Sequence, residues 1–580
     1  MSYRPTRMLT VLALDPSVKD GAEALKTQIE IPNEFLEAGP RGSRVFLVDY
    51  DSSADSFRRP APVKRPPKNP TVERPDPFEN VPDSGLIGNF DFHAFMTYGI
   101  VMKTLARFEY ALGRRLSWSF GSHQIQVSPH AFADANAFYS DRAQGLFFGY
   151  FPSRDGKSTI YTCLSHEIVA HETTHALLDG LRERYTDPSS PQQAGFHEGF
   201  ADIVALLSIL SAQSIVAKVV DLGLPGARTG FIRRSDVSFN ALRDSGLLGL
   251  ANQMGSELAG VHGHALRRSV SLPPNPDYLN SPEYEEAHTC GEILVAAVMN
   301  AYLRIWVDRL KPVGDDKRVD RKRAAEEGAE LADHLLNVCI RAIDYCPPTD
   351  IEFGNFASAL LTVDAELNPV DAKYNLRDRL LEAFAAYGIH PTSRGGINRQ
   401  TGSWDPPPPN VEFVYDRTHF DNMKSDPDEL FRFLWENRSA FRLQEDAHTR
   451  VLSVRPCTRR GRDGFTLRET VAEYHQQLKL YARELGRLGI RRPKGMPPDT
   501  EVTLYGGNAV IFDEYGHVKY NIGKSILDRA RQTNRLQYLW DHGAFAAGAS
   551  KERAFSRLHM RWNTDWYRSV VDSRLTQDEE

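Results

Sequence analysis

The chain has 580 residues, of which 41% are hydrophobic and 25% are charged, and its formal net charge is −6. This length exceeds what one hydrophobic core usually supports and predicts about three to four domains, whereas the ordinary composition excludes wholesale disorder. The small net charge gives no reason to expect a nucleic acid or an anionic membrane as a partner. The five cysteines are odd in number and lack metal-type pairing, so reduced thiols are expected rather than a disulfide framework.

Residues 1–57 are predicted to form a β-rich N-terminal segment, with strand-like runs at residues 8–14 and 43–50. The first run is short for the core of a signal peptide and ends at Asp15-Pro16 without a small-residue cleavage site, so a strand is the better interpretation. No stretch approaches the ~18 consecutive apolar residues that a membrane span needs. A cytoplasmic location is therefore expected. Residues 58–83 are crowded with proline and predict an extended linker.

A metal-binding motif follows a long amphipathic helix that is predicted at about residues 92–114. The sequence His171-Glu172-Thr173-Thr174-His175 places two histidines four residues apart, so in a helix both imidazoles leave one face and can share one ion. The carboxylate of Glu172 can then reach a water molecule bound to that ion without being a ligand of the ion itself. Apolar residues at helical spacing support the helix: Leu164, Ile168, Leu177, Leu178 and Leu181.

A third ligand is required, because catalytic zinc sites in proteins hold three protein ligands and keep one position open. Glu198 is the candidate, since it stands at the start of a second apolar helical run over residues 199–210. Asp202 lies one turn further on, where it could accept the spare N–H of a liganding histidine. The pattern therefore predicts a zinc ion bound by His171, His175 and Glu198.

These motifs resemble those of the thermolysin-like zinc metallopeptidases, the gluzincins, over about residues 85–390 and in the family's order. Asn136-Ala137-Phe138-Tyr139 is similar to the family's substrate-binding edge strand. The segment at residues 268–273 resembles the one whose arginine, here Arg268, holds a substrate carbonyl. His288 opens a long apolar helix, as the family's transition-state histidine does, and residues 384–389 resemble the end of the family's last helix.

The resemblance implies an α+β fold with two lobes and the zinc helix between them. Residues 84–185 would form the N-terminal lobe with its β-structure, and residues 186–392 a lobe of four or five helices, the longest at 287–309 and 322–345. The implied activity is that of a zinc endopeptidase, in which Glu172 takes a proton from the water that attacks the scissile carbonyl. Peptides or proteins are the expected substrates, and no oligomeric state is implied.

The resemblance also assigns the remaining site residues. Asn136 and Ala137 would hold the substrate in an extended pose, Arg268 would bind a carbonyl on the leaving-group side, and His288 with Tyr185 would stabilise the oxyanion. The offset of Tyr185 from the zinc motif departs from the family pattern. The carboxylate partner of His288 stays open among three residues: Glu283, Glu285 and Glu286.

Two further departures concern metal binding. His197 stands where the family usually has an asparagine before the glutamate ligand. The Gly/Asp-rich loop that binds calcium in the family is missing, since residues 140–145 read Ser-Asp-Arg-Ala-Gln-Gly. One catalytic zinc is therefore expected, and the family's structural calcium is not.

A second proline-rich linker at residues 393–410 precedes an accessory α/β region at 411–580, where the resemblance ends. Helices are predicted there at about 428–437 and 467–488, followed by strands at 501–505 and 509–513. A turn at residues 514–516 predicts a small hairpin. Four arginines are expected to lie in a solvated loop: Arg455, Arg459, Arg460 and Arg462.

Two alternatives to an endopeptidase remain. A zinc aminopeptidase would also use this motif, but its Gly-x-Met-x-Asn signature is not found upstream. A catalytically silent scaffold that binds partners would need neither Glu172 nor His288, and both are present. A cytoplasmic peptidase also has to be restrained, so the terminal regions are candidates for limiting access to the site.

Overall fold

The structure is a computed structural model with a mixture of helices and sheets, as expected for an α+β protein. It describes the following residues: 5–14, 16, 19–20, 23–63, 76–153, 156–187, 189–222, 230–247, 269–392, 401–461 and 464–545. Residues 64–75 of the first linker and 393–400 of the second lie outside this described part, as do Arg268 and Arg462.

The N-terminal segment is built from short strands. In chain order they are β1 (Thr6–Leu12), β2 (Lys19–Asp20), β3 (Glu23–Ala24), β4 (Lys26–Pro32), β5 (Val45–Leu47), β6 (Tyr50–Asp51) and β7 (Ser56–Phe57). The strand predicted at residues 8–14 is confirmed as β1, which pairs antiparallel with β4 from Thr6↔Pro32 to Leu12↔Lys26. Val11 and Leu12 are fully buried, which explains the apolar run that resembles a signal core.

A mixed sheet precedes the zinc motif. It comprises β8 (Ile125–Phe132), β9 (Ala137–Ser140), β10 (Gly145–Pro152) and β11 (Thr159–Tyr161), together with β5. The strand order is β11-β10-β8-β5, and β9 pairs antiparallel with β10. Among the described residues β9 has no second sheet partner, so one of its backbone edges faces away from the sheet.

Helices form most of the chain from residue 83 to residue 386. They are α1 (Asp83–Ile87), α2 (Phe90–Leu112), α3 (His166–Leu181), α4 (Pro191–Leu210), α5 (Gln213–Leu222), α6 (Ala287–Leu310), α7 (Arg321–Ala342), α8 (Phe353–Leu367) and α9 (Leu376–Ala386). Two short strands, β12 (Phe231–Arg233) and β13 (Arg318–Asp320), pair antiparallel between them. The predicted helices at 92–114, 287–309 and 322–345 are confirmed to within a few residues.

Helices α4 and α6 approach each other at backbone distance because glycines line their contact. A Cβ atom at Gly199 would lie 2.7 Å from the carbonyl oxygen of Gly291, and one at Gly195 would lie 2.7 Å from Cβ of Cys290. At Gly199 and Gly291 no side chain separates the two helices. The contact brings the residue before Gly199, Glu198, close to the first turn of α6.

The described part of the C-terminal region contains four short α-helices, α10 (Phe420–Met423), α11 (Pro427–Glu436), α12 (Arg438–Phe441) and α13 (Arg529–Asp541). Its antiparallel sheet has the order β14 (His448–Arg460), β15 (Thr466–Tyr481), β16 (Glu501–Phe512) and β17 (Val518–Lys524). The predicted hairpin is confirmed as β16 and β17, and the predicted strands 501–505 and 509–513 are one continuous strand.

The predicted helix at 467–488 is wrong, because residues 466–481 form β15 and only 482–488 form a 3₁₀-helix. In the structure Glu469 and Glu473 are buried, where they pair with Arg459 and Arg182. Because cross-strand and long-range partners neutralise these charges, helix propensity does not decide the conformation.

The solvated arginine loop is also corrected. Arg459 lies on β14 and is 1% exposed, and its guanidinium forms ion pairs with Asp344 and Glu469. Asp344 accepts two further hydrogen bonds from Arg114, at 2.6 and 2.7 Å. The C-terminal sheet is thereby joined to α2 and α7 by buried charges, and its residues Cys457, Val471, Ile511 and Ile522 belong to the main hydrophobic core.

The second linker also contacts the helices. Trp404 is 8% exposed, its indole N–H donates to the carbonyl of Tyr345 at 2.9 Å, and its backbone N–H donates to Oγ1 of Thr362 at 2.8 Å.

Within the described residues one helix, α6, is long and apolar enough to cross a membrane, and 89% of its apolar window is buried inside the protein. Helices α4 and α5 meet the same criterion only as a pair, which is bent by 86°. The five cysteines are unpaired and buried.

Candidate metal centre

The helix that carries the zinc motif is defined at its start by a capping residue. Oγ of Ser165 accepts a hydrogen bond from the backbone N–H of Ile168, which satisfies one of the free donors in the first turn of α3. The predicted apolar positions, including Ile168 and Leu177, are buried on both sides of the motif. The helix therefore fixes the directions of His171 and His175.

Three metal-ligating atoms converge where α3 meets α4. Nε2 of His171 lies 2.9 Å from Nε2 of His175. Oε2 of Glu198 lies 3.6 Å from Nε2 of His171 and 3.7 Å from Nε2 of His175. All three side chains are at most 1% exposed. The predicted ligands thus form one buried cluster with a geometry that could hold a metal ion.

The far side of each imidazole is occupied by a residue of α4. Nδ1 of His171 lies 2.8 Å from Oδ1 of Asp202, and Nδ1 of His175 lies 2.7 Å from Nδ1 of His197. A carboxylate accepts a hydrogen bond, so Nδ1 of His171 carries the proton and its Nε2 presents a lone pair to the cluster. Nitrogen lone pairs and a carboxylate oxygen that converge in this way could hold a cation. The residues present fit a zinc ion, which binds imidazole and carboxylate.

The electrostatic environment of the cluster also favours a bound cation. Burial alone would lower the pKa of His171, but the carboxylate of Asp202, with contributions from Glu198 and Glu172, raises it well above its ordinary value. The cluster therefore stabilises positive charge. For His175 burial prevails and lowers the pKa, which favours the neutral imidazole that binds metals.

Glu172 links the cluster to the edge strand. It is fully buried, and its Oε2 accepts a hydrogen bond from the backbone N–H of Tyr139 at 2.9 Å. The hydroxyl of Tyr139 donates to Oδ2 of Asp179, one turn beyond His175 on α3, at 2.8 Å. Strand β9 is therefore held against α3 at two points, and Asn136 and Ala137 stand at its start. Oδ1 of Asn136 accepts from the N–H of Ala137 at 2.8 Å.

His288 approaches the cluster from the first turn of α6. Its Nε2 lies 3.5 Å from Oε2 of Glu198, and its Nδ1 lies 2.8 Å from Oε1 of Glu286. Of the three carboxylates left open by the sequence, Glu286 is the partner. Its other oxygen accepts from the N–H of Thr289 at 3.0 Å and caps the helix. Although burial opposes the charged form, Glu198 and Glu286 raise the pKa of His288 to about 9.

The structure does not bring Tyr185 to the cluster. Its hydroxyl donates to the carbonyl oxygen of Pro347 at 2.7 Å, and its ring packs edge-on against Phe196. A hydroxyl has one hydrogen to donate, and here the protein backbone takes it. The predicted role of Tyr185 in stabilising an oxyanion is therefore corrected to a packing role. Arg268 lies outside the described residues.

Two contacts of the cluster were not predicted from the sequence. His197 was noted only as a departure from the family pattern, whereas in the structure it orients His175. The histidine directly before Glu198 was the signal in the sequence that could have predicted this contact. The identity of Glu286 as the partner of His288 depended on the exact start of α6, which sequence patterns do not determine to within one residue.

In comparisons with known proteins, no family model and no curated protein matches the chain.

Proposed function

We propose that this protein is a zinc-dependent endopeptidase with the two-lobed architecture of the thermolysin-like peptidases. The observation that carries the proposal is the convergence of His171, His175 and Glu198, with Glu172 on the same helix and bonded to strand β9. A structural metal site needs no additional buried carboxylate of this kind. The sheet before α3 and the helices after it would form the two lobes.

The ion would be held by Nε2 of His171, Nε2 of His175 and the carboxylate of Glu198. When bound, Zn²⁺ would act as a Lewis acid that lowers the pKa of a water molecule from ~16 toward ~7. His197 and Asp202 would keep the two imidazoles in the tautomers and orientations that ligation requires.

Glu172 would accept the proton of the attacking water and pass it to the leaving amine. The hydrogen bond from the N–H of Tyr139 fixes one carboxylate oxygen on the side of β9. The base is therefore oriented toward the strand along which a substrate would lie. This geometry supports proton transfer at a defined position rather than a purely electrostatic role.

The substrate would be an extended peptide that adds to the outer edge of β9. Sheet edges bind peptides through main-chain hydrogen bonds, largely independent of side-chain sequence. In the described part of the chain β9 pairs only with β10, so its second edge supports this mode of binding. Asn136 and Ala137 would bind the substrate backbone near the scissile bond, and Arg268 would bind a carbonyl on the leaving-group side.

His288 would donate a hydrogen bond to the oxyanion that develops during attack. The contact with Glu286 keeps its Nδ1 protonated and oriented, and Nε2 faces the cluster. Donors aimed at a developing charge in a buried site stabilise the transition state more than the ground state.

The direct test compares wild type and Glu172→Gln on extended peptide substrates, together with metal analysis and thermal unfolding. Glu172→Gln should keep its zinc and its fold and lose activity by about 10²–10⁴-fold, because an amide cannot accept the proton. Glu167→Gln is the matched control, since Glu167 is another buried glutamate of α3. Equal rates for wild type and Glu172→Gln would overturn the proposal, and zinc-loaded wild type that cleaves no peptide would favour a scaffold.

A further inference from the structure

A second group of metal-ligating side chains lies outside the centre described above. It consists of His93 in the first turns of α2, His130 near the end of β8 and Cys163 in the 3₁₀ turn Thr162–Leu164 that precedes α3. The three side chains are fully buried. One ligand atom from each lies within 4.8 Å of the others.

The two imidazoles of this group face each other through one nitrogen each. Nδ1 of His93 lies 2.8 Å from Nε2 of His130. On their far sides, Nε2 of His93 lies 2.8 Å from the carbonyl oxygen of Ile87, and Nδ1 of His130 lies 2.8 Å from Oδ2 of Asp49. Oδ1 of Asp49 also accepts from the backbone N–H of His130 at 3.2 Å.

The hydrogen atoms available to the two imidazoles satisfy two of these three nitrogen contacts and leave the contact between the two rings without a proton. A carbonyl oxygen and a carboxylate only accept, so Nε2 of His93 and Nδ1 of His130 must donate. A neutral imidazole carries one N–H, and both are used in this way. Nδ1 of His93 and Nε2 of His130 are therefore two lone pairs held 2.8 Å apart. A positive charge has to lie between them.

The charge could be a proton or a metal ion, and the surroundings favour the metal. The rings of Phe90 and Tyr161 cover the pair, with centroids 4.9 Å from His130 and 4.8 Å from His93 respectively. Cys163 supplies a third donor that a shared proton would not need, but a metal ion would use.

We propose that His93 Nδ1, His130 Nε2 and the Cys163 thiolate bind a second Zn²⁺, away from the proposed catalytic centre. Imidazole and thiolate are typical ligands of structural zinc, and binding would displace the Cys163 proton to solvent. The contacts of the far nitrogens with a carboxylate and a backbone carbonyl match the usual support of zinc-bound histidines. The ion would join α2, β8 and the turn that leads into α3. This inference does not depend on peptidase activity.

Metal analysis of the purified full-length protein tests the stoichiometry. We expect two zinc ions per chain in wild type, one in Glu198→Ala and one in Cys163→Ser. Cys339→Ser is the matched control and should keep two, because Cys339 is equally buried but belongs to no metal-ligating group among the described residues. A single zinc in wild type that Glu198→Ala removes would overturn the second site.

Cobalt substitution provides a measurement that does not require the cysteine variant to fold. The centre at His171, His175 and Glu198 contains no sulfur, so a thiolate-to-cobalt charge-transfer band in the near ultraviolet can report only on a cysteine site. Glu198→Ala loaded with Co²⁺ should show this band, and Glu198→Ala/Cys163→Ser should lose it, whereas Glu198→Ala/Cys339→Ser should retain it. Absence of the band in Glu198→Ala would contradict thiolate ligation and leave a shared proton as the bridging charge.

Discussion

Nδ1 of His175 lies 2.7 Å from Nδ1 of His197, and the two rings stack with centroids 4.7 Å apart. His197 thus orients the imidazole of His175, as Asp202 orients that of His171. Both orienting residues belong to α4, which also carries Glu198. One helix therefore supplies the third candidate ligand and the residues that orient the other two.

Removing the support should weaken zinc binding without removing a ligand. His197→Ala and Asp202→Ala should each raise the dissociation constant for zinc by about 10–100-fold, as is typical for residues that orient metal-bound histidines. His197→Asn should have a smaller effect, because an amide oxygen can accept the same hydrogen bond. Competition with a chromophoric chelator measures the constants, and His166→Gln, a buried histidine of α3, is the control. Unchanged affinity in His197→Ala would show that the contact is only packing.

The contact between His288 and Glu286 should determine the pH at which kcat falls on the alkaline side of its pH profile. The carboxylate of Glu286 raises the pKa of His288, so Glu286→Gln should lower that pKa and move the alkaline fall of kcat to lower pH. His288→Ala should keep zinc and lose about 10²–10³-fold, mainly in kcat. Profiles of kcat against pH test both variants. Glu285→Gln should leave the profile in place, and a shift as large as that of Glu286→Gln would point to a general charge effect.

The buried charges between the C-terminal sheet and the helices should make stability sensitive to acid. Burial alone would raise the pKa of Asp344, but Arg114 and Arg459 hold it well below its ordinary value. The stabilisation is therefore complete above the unfolded pKa of about 3.9 and is lost as pH falls toward the folded value.

Arg459→Met should lower the free energy of unfolding by about 3–5 kcal/mol, because it leaves buried carboxylates without a partner. It should also move the midpoint of acid unfolding to higher pH. Denaturant titration at several pH values measures both quantities. Arg460→Met changes the exposed neighbour on β14 and should alter neither; equal losses in the two variants would contradict a specific role for the buried pair.

A methyl group between α4 and α6 should disturb both stability and the site. The Cβ of Gly199→Ala would lie 2.7 Å from the Gly291 carbonyl oxygen, and backbone cannot move aside as a side chain can. We expect a loss of about 1–3 kcal/mol from overpacking, and a lower kcat because Glu198 and His288 would separate. Gly88→Ala, where nothing lies within 4 Å, is the control. Full kcat in a destabilised Gly199→Ala would uncouple the helix contact from the site.

Local patterns predicted the parts of this protein that depend on neighbours in sequence. The spacing of His171 and His175 and the apolar runs of β1, α2 and α6 are properties of single segments. Strand β15 was predicted as a helix because its buried Glu473 pairs with Arg182, which is distant in sequence. Tyr185 was misplaced for the same reason, since the acceptor of its hydroxyl belongs to a distant loop at Pro347. The sequence around Cys163 did not predict a metal site, because the two histidines close to it lie on α2 and β8, which are separated from it in sequence.

The ion pair between Arg182 and Glu473 has a consequence for the order in which the protein can mature. Arg182 directly follows α3 and is buried, and its partner Glu473 lies on β15. During synthesis the metal-binding segments leave the ribosome long before residue 473 does. Until then Arg182, at the end of α3, lacks the carboxylate of Glu473, and burying a charge without a partner is unfavourable. We therefore expect α3 to pack into its final position only after most of the polypeptide has been made.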